Sequence, residues 1–166
     1  GSGVFLKVDG RKEWLGWVEL YKKETNEISV QNTARVIKAV DADILCVVEV
    51  DNRIALKRFN EYLLDAENVE YAGAMVIDGN DERGIDVGLL SRFPLVNIKT
   101  HIDDRYKSTN GQFYTIFSRD CPEYAVDIGD GQIVHILCNH LKSKGYGSQT
   151  SNNTKRKRQA NRIVEI

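Results

Sequence analysis

VHILCNHLKSKGYG, residues Val134–Gly147, is the stretch on which the reading of this chain turns. Ile136, Leu137 and Cys138 read as strand core, after which Asn139, His140, Lys142, Ser143 and Lys144 arrive together. An apolar strand that ends in such a cluster delivers polar groups to one end of a sheet, where a ligand can reach them. Upstream, Tyr124–Ile128 and Gln132–Cys138 flank Gly129, Asp130 and Gly131, a hairpin signal because glycine accepts the positive φ of a tight turn. Arg119 lies eleven residues before Asp130 and His140 ten after it, so an antiparallel hairpin sets both at its open end. A guanidinium and an imidazole on one rim suit a phosphate group. The alternative pairs Arg119 with Asp120 or Glu123 on the surface and leaves His140 to a loop hydrogen bond.

At 166 residues the chain has the length of one domain, and such a chain buries roughly two thirds of its unfolded surface. Its 42% hydrophobic and 28% charged residues are those of a globular protein rather than a disordered one. A net charge of −1 excludes a binder that holds nucleic acid by charge alone, but not an enzyme with a local patch and a bound metal. Cys46, Cys121 and Cys138 are odd in number and lack zinc-ligand spacing, so they read as core thiols. They favour a reducing, cytoplasmic compartment, with a secreted parent as the alternative. Gly1–Gly3 reads as a cloning remnant, and no window resembles a signal peptide or membrane span.

Along the chain, Val4–Val8 suggests a short strand, and Trp14–Leu20 an amphipathic turn or an extended covering segment. Ile28–Val40 carries a helical stripe of Val30, Ala34 and Ile37, ended by Asp41, Ala42 and Asp43. Ile44–Val50, ILCVVEV, is apolar except at Glu49 and suits a strand covered on both faces. A carboxylate ending such a strand needs a cation, strong donors or a proton, so Glu49 is either a metal ligand or the partner of a cation such as Arg53. Ile54–Leu64 predicts a second helix, and Tyr71–Ile77 and Ile85–Ser91 predict strands around the charged loop Asp78–Gly84, which reads as a solvated tip. Asp86 starts a strand where His140 ends one. If the two strands run antiparallel in one sheet, both fall on one rim, where the carboxylate would orient the imidazole and hold it protonated, the alternative being a strand-start residue facing water. Phe93–Ile102 is expected to continue the sheet. His101 with Asp103 and Asp104 reads as loop polarity, since neighbours on an extended chain point to opposite faces. Lys107–Gly111 is turn-like. Gly147–Thr154 reads as a flexible loop before a final helix whose Lys155–Arg158 run is a solvated face, a localisation signal or a phosphate contact.

Taken together, DADILCVVEV (Asp41–Val50), ERGIDVGLLSR (Glu82–Arg92), FSRDCPEYAV (Phe117–Val126) and ILCNHLKSK (Ile136–Lys144) resemble the endonuclease/exonuclease/phosphatase superfamily, and most closely its bacterial members carrying NHLKSK. The resemblance implies an α/β fold over residues 4–166, a layered, deoxyribonuclease-like sandwich with mostly antiparallel strands and helices on the outer face. It also implies hydrolysis of a phosphate ester by water. Glu49 matches the glutamate that binds a divalent metal, usually magnesium, with manganese or calcium as substitutes. His140 matches the histidine on the scissile phosphate, Arg119 an arginine that contacts phosphate, and Asp86 the acid supporting the histidine. Asn139 and Lys142, in the same cluster, are further phosphate-binding candidates.

Three elements of that pattern are not found: an opening strand ending in a metal-binding Asn, a Gly-Asp-x-Asn segment, and an Asp-His pair whose histidine activates water. The expectation is therefore part of a hydrolase domain, inactive alone, whose incomplete sheet favours self-association. Its partner would be nucleic acid or another phosphodiester; the alternatives are a non-catalytic module that keeps the fold and binds phosphate or nucleic acid, or a phosphatase- or sphingomyelinase-type hydrolase of the same superfamily.

Overall fold

The computed structural model describes residues 27–166, so the readings of Val4–Val8 and Trp14–Leu20 lie outside the described residues. The first helix, α1 (Glu27–Val40), buries Ala34 with Val30 and Ile37 half-buried beside it, as the stripe predicts. Asp41 ends it in the left-handed region (φ 51°), its N–H returning to the Ile37 carbonyl at 3.0 Å. After β1 (Ile44–Val50), Asn52 caps α2 (Arg53–Arg58) by accepting from the Ala55 N–H at 2.8 Å. The expected helix to Leu64 is α-helical only through Arg58. Phe59–Leu64 widens into a π-helical turn and Asp65–Glu67 tightens into a 3₁₀ turn. Asn60 donates from Nδ2 to the Tyr71 carbonyl at 2.8 Å, tying that turn to the chain entering β2 (Gly73–Val76).

Two three-stranded antiparallel sheets follow from the pairing among the described residues. In the first, β3 (Asp86–Ser91) lies between β1 and β2; in the second, β7 (Glu123–Asp127) lies between β4 (Leu95–Lys99) and β8 (Ile133–Leu137). The central position of β3 means that it, and not β1, is the strand covered on both faces. All six of its residues are buried, whereas β1 alternates between half-buried and exposed. Phe93–Ile102 does not continue the first sheet, because the Ser91 hydroxyl donates to the Phe93 carbonyl and turns the chain into the second.

Three layers result, with α1 and α2 outermost, then the first sheet, then the second. Leu90 and Val76 face outward against Ala34, Leu56 and Leu64 of the helical layer. On the other face, Val87 and Leu89 pack on Tyr124, Val126 and Cys138 of the second sheet. Gly88 lets this layering close up. A Cβ there would lie 2.9 Å from Val76 Cγ2 and 3.1 Å from Leu56 Cδ2. A short ribbon of β5 (Arg105–Lys107) and β6 (Phe113–Thr115), joined by the expected turn, packs with the last helix, α3 (Gln149–Glu165), through Tyr106, Ile116, Phe117 and Ile163.

The final helix begins earlier than its polar sequence suggests. Ser148 caps it, its hydroxyl accepting from the Ser151 N–H at 3.2 Å, and Asn152 donates to the carbonyls of Lys144, Gly145 and Tyr146. The polar residues of this first turn bind the preceding loop, so the absence of an apolar stripe there does not mean absence of structure.

Removing the Leu89 side chain from the inter-sheet core should cost about 2–5 kcal/mol. Val48→Ala, at a site 52% exposed on β1, should stay within about 0.5 kcal/mol. Urea unfolding of the two variants checks this, and equal losses would contradict the assignment of β3, rather than β1, as the covered strand.

Candidate functional site

The β1–β3 ladder runs in register from Ile44 opposite Ser91 to Val48 opposite Val87, then slips so that Val50 meets Asp86. Glu49 is the extra residue of this bulge, with φ at 61°. For a residue with a Cβ the left-handed region costs about 1–2 kcal/mol. Bulges re-aim side chains, and this one turns Glu49 out of the strand, leaving its side chain 64% exposed. Its Oε1 lies 4.0 Å from Nε2 of His140, which follows the end of β8 on the other sheet. The carboxylate of Glu49 thus approaches the His140 imidazole rather than pairing with Arg53, and the Arg83 guanidinium also feels its charge. Two strands from different sheets present a carboxylate and an imidazole to one point at the rim.

Asp86, opposite Val50 next to the Glu49 bulge, is fully buried rather than facing water, and its strand β3 lies in the first sheet, not in one sheet with the β8 strand that leads to His140. Its Oδ1 accepts the Gly79 N–H at 2.7 Å. The imidazole that it was expected to support has its Nδ1 buried without a hydrogen-bond partner among the described residues. Nor is the ring held protonated. Burial first, then the Arg119 charge, lowers the His140 pKa below its ordinary 6.5, with Glu49 pulling the other way.

The loop Asp78–Gly84, expected to be a solvated tip, is built into the rim. Asn80 donates to the Ile102 carbonyl at 2.8 Å and the Phe117 carbonyl at 3.3 Å. Asp81 stands between two arginines, its Oδ2 2.8 Å from Arg83 and 3.0 Å from the buried Arg119, the latter an ion pair not aligned as a hydrogen bond. Arg119 is therefore held by Asp81 and by neither Asp120 nor Glu123. A Cβ on Gly79 would lie 2.8 Å from both Arg119 Cα and Asp120 N, so this close approach of loop to backbone needs glycine. The missed signal was Gly79 followed two residues later by an acid, with Asp86 and Arg119 waiting elsewhere in the chain.

The side chains of Asn139 and Lys142 both hydrogen-bond to main-chain carbonyls close by in sequence. Asn139 donates from Nδ2 to the Leu137 carbonyl at 3.1 Å, and its Oδ1 is buried. Lys142 donates from Nζ to the carbonyls of Gly145 and Tyr146, closing its own loop. The buried Gln159 clamps that loop by accepting the Lys142 N–H at 2.8 Å while donating to the Ile116 carbonyl at 3.2 Å. The basic run of α3 is put to several uses. Arg156 donates to the Lys142 carbonyl at 3.0 Å, and Arg158 lies 3.4 Å from the centre of the Tyr106 ring. Lys155 is half-buried, its pKa lowered by burial first and then by Lys142 and Arg119.

His101 is not loop polarity. It is 4% exposed, with Nδ1 3.2 Å from Asp104 Oδ2, and Asp104 in turn pairs with Arg162 at 2.7 Å. Expecting an extended chain was the error: the Asp104 N–H returns to the His101 carbonyl at 3.1 Å, and a turn brings residues three apart together. Among the described residues no three His, Cys, Asp or Glu side chains group to hold a metal by themselves. Among them also, no helix is long and apolar enough to cross a membrane.

A comparison with protein families matches residues 6–166 to the endonuclease/exonuclease/phosphatase family. Comparison with curated proteins gives no match, and neither does comparison with solved structures.

Asp81 offers a direct test of how the rim is held. The Arg83 hydrogen bond, then the nearby Arg119 charge, lower its pKa below 3.8 against the opposing effect of burial. A folded-state value below the unfolded one stabilises fully above the unfolded pKa, and the contribution is lost as pH falls through the folded value. Asp81→Asn should therefore cost about 1–3 kcal/mol at neutral pH, with the gap from wild type closing as the pH is taken below about 4. Urea midpoints measured across that range check it, and a gap independent of pH would contradict it.

Proposed function

Because the chain belongs to the endonuclease/exonuclease/phosphatase family, a family of nuclease- and phosphatase-type hydrolases, we propose that it serves a metal-dependent hydrolysis of phosphodiesters, nucleic acid foremost. The observation that carries this reading is the convergence of Glu49 and His140 from separate sheets to within 4.0 Å, beside the buried Arg119.

The carboxylate of Glu49 fits a hard cation. Magnesium takes one or two carboxylates and completes its shell with water and phosphate oxygens, so an exposed glutamate suffices as its anchor without a cluster of protein ligands. When bound, the metal would neutralise charge on the phosphoryl oxygens and ease departure of the leaving group. Manganese and calcium accept the same oxygen donors.

The remaining steps belong to the chain's own groups. Arg119, buried and permanently charged, supplies a fixed cation for the phosphate, and Asp81 holds it in place. An incoming phosphate adds negative charge beside His140 and raises its proton affinity. The imidazole, neutral when the site is free, then takes up a proton and faces the developing charge as a cation. Asp86 acts at one remove as a positioning residue, fastening the Gly79 loop that carries Asp81.

Turnover of supercoiled plasmid and of bis(4-nitrophenyl) phosphate, with and without magnesium, by a version of the chain that also carries the Gly-Asp-x-Asn and Asp-His elements of the pattern, tests this reading. Glu49→Gln and His140→Ala should each lower the metal-dependent rate by about 10²-fold or more. Unchanged rates in both variants would remove the site assignment. Salt-sensitive binding of DNA with no turnover under magnesium, manganese or calcium would instead favour a phosphate-binding module that keeps the fold.

A further inference from the structure

Cys46 and Cys138 stand 92 positions apart in sequence, yet Cys138 donates its S–H to Cys46 across only 2.9 Å. Cys46 lies on β1 of the first sheet, and Cys138 follows β8 of the second. In the β1–β3 ladder Cys46 is opposite Leu89, which faces the second sheet, and Cys138 belongs to the same inter-sheet core. Both are free thiols, Cys46 exposed and Cys138 buried. No other use of the pair is evident, since neither side chain belongs to the rim described above.

We propose that Cys46 and Cys138 form a thiol–disulfide exchange site, in which an external small-molecule disulfide of the glutathione class converts the pair into a covalent bridge between the two sheets. Three observations support it. The sulfurs are nearer than unbonded sulfurs ordinarily come, and forming the bond, at about 2.05 Å, needs a movement of less than about 1 Å. The exposed partner is also the one that accepts the hydrogen bond, which lowers the Cys46 pKa, so the thiolate forms where an external disulfide can reach it. Cys138, by contrast, is pushed up by that same hydrogen bond and by burial, and stays a thiol until Cys46 has reacted.

The exchange balances. The Cys46 thiolate attacks one sulfur of the external disulfide, whose S–S bond breaks to leave a mixed disulfide on Cys46 and a free external thiolate. Cys138 loses its proton to the released thiolate and attacks the Cys46 sulfur, expelling the second external thiolate, which is protonated from solvent. Two protein thiols are oxidised to one disulfide, and one external disulfide is reduced to two thiols. The product joins a residue three positions before Glu49 to one two positions before His140, fixing the strands that carry them. Bridges between facing sheets occupy the same kind of position in immunoglobulin domains.

The test is equilibration of the protein with reduced and oxidised glutathione at set ratios, followed by thiol counting, intact mass and peptide mapping. The expected result is a loss of two hydrogens with one thiol left of three, a Cys46–Cys138 linked peptide, and a rise in Tm on the order of 10 °C that dithiothreitol reverses. Cys46→Ser, a change at an exposed site, should fold normally and show no intramolecular bridge and no redox-dependent Tm. Three thiols persisting in oxidised glutathione, a mixed disulfide that stalls on Cys46, or a bridge to Cys121 would each overturn the proposal. None of these readouts depends on catalysis, so the result stands apart from the hydrolase reading.

Discussion

The docking of two three-stranded sheets face to face is the constraint on which the rest of the structure depends. Val87 and Leu89 of one sheet pack on Tyr124, Val126 and Cys138 of the other, all nearly or wholly buried. Apolar area removed from water contributes about 25 cal/mol per Å², and this packing spreads that gain over many side chains rather than one directional contact. The rim is a by-product of this packing. Glu49 leaves the first sheet and His140 leaves the second, and they meet because the sheets lie one on the other with β1 and β8 at the same side.

Against that rigid background, the local departures from regularity concentrate at the rim. Glu49 sits in the left-handed region within a bulge, Gly79 crosses the Arg119 backbone at a distance no larger residue tolerates, and His140 keeps a buried nitrogen without a hydrogen-bond partner among the described residues. Strain and unsatisfied polarity each cost free energy, and chains retain them where a side chain must be aimed. The charges are arranged with equal economy. Arg119 is buried yet tied to Asp81, which also engages Arg83, so a permanent cation is held near the imidazole without being neutralised by it.

Much of the scaffold was legible in the sequence because its signals are local. The stripe of α1, the apolar runs of β1 and β3, and the hairpin around Asp130, where Gly129, Asp130 and Gly131 all take positive φ, depend on neighbours along the chain. What escaped depends on partners far away. The charged loop Asp78–Gly84 looks solvated until Arg119, Ile102 and Phe117 come to meet it, and the polar start of α3 looks irregular until Asn152 finds the loop carbonyls. Nor can periodicity tell a strand in the middle of a sheet from one at its side, which is why β1 rather than β3 was read as doubly covered. Of the rim itself, the placing of Arg119 and His140 at one end of the hairpin follows from strand direction, whereas the meeting of Glu49 with His140 is set by the docking of the two sheets. The hydrogen bonds of the Asn139 and Lys142 side chains are not legible in the sequence, because they go to particular carbonyls.

The central claim is that the two sheets present one carboxylate and one imidazole to a single cation-and-phosphate point. Paramagnetic broadening of the histidine ring signals by manganese(II) tests it most directly, because the effect falls steeply with distance and does not require turnover. The account predicts that substoichiometric manganese broadens His140 while sparing His101 and His135, and that Glu49→Gln abolishes the selectivity. Equal broadening of all three rings, or selective broadening of His140 that survives Glu49→Gln, would contradict it.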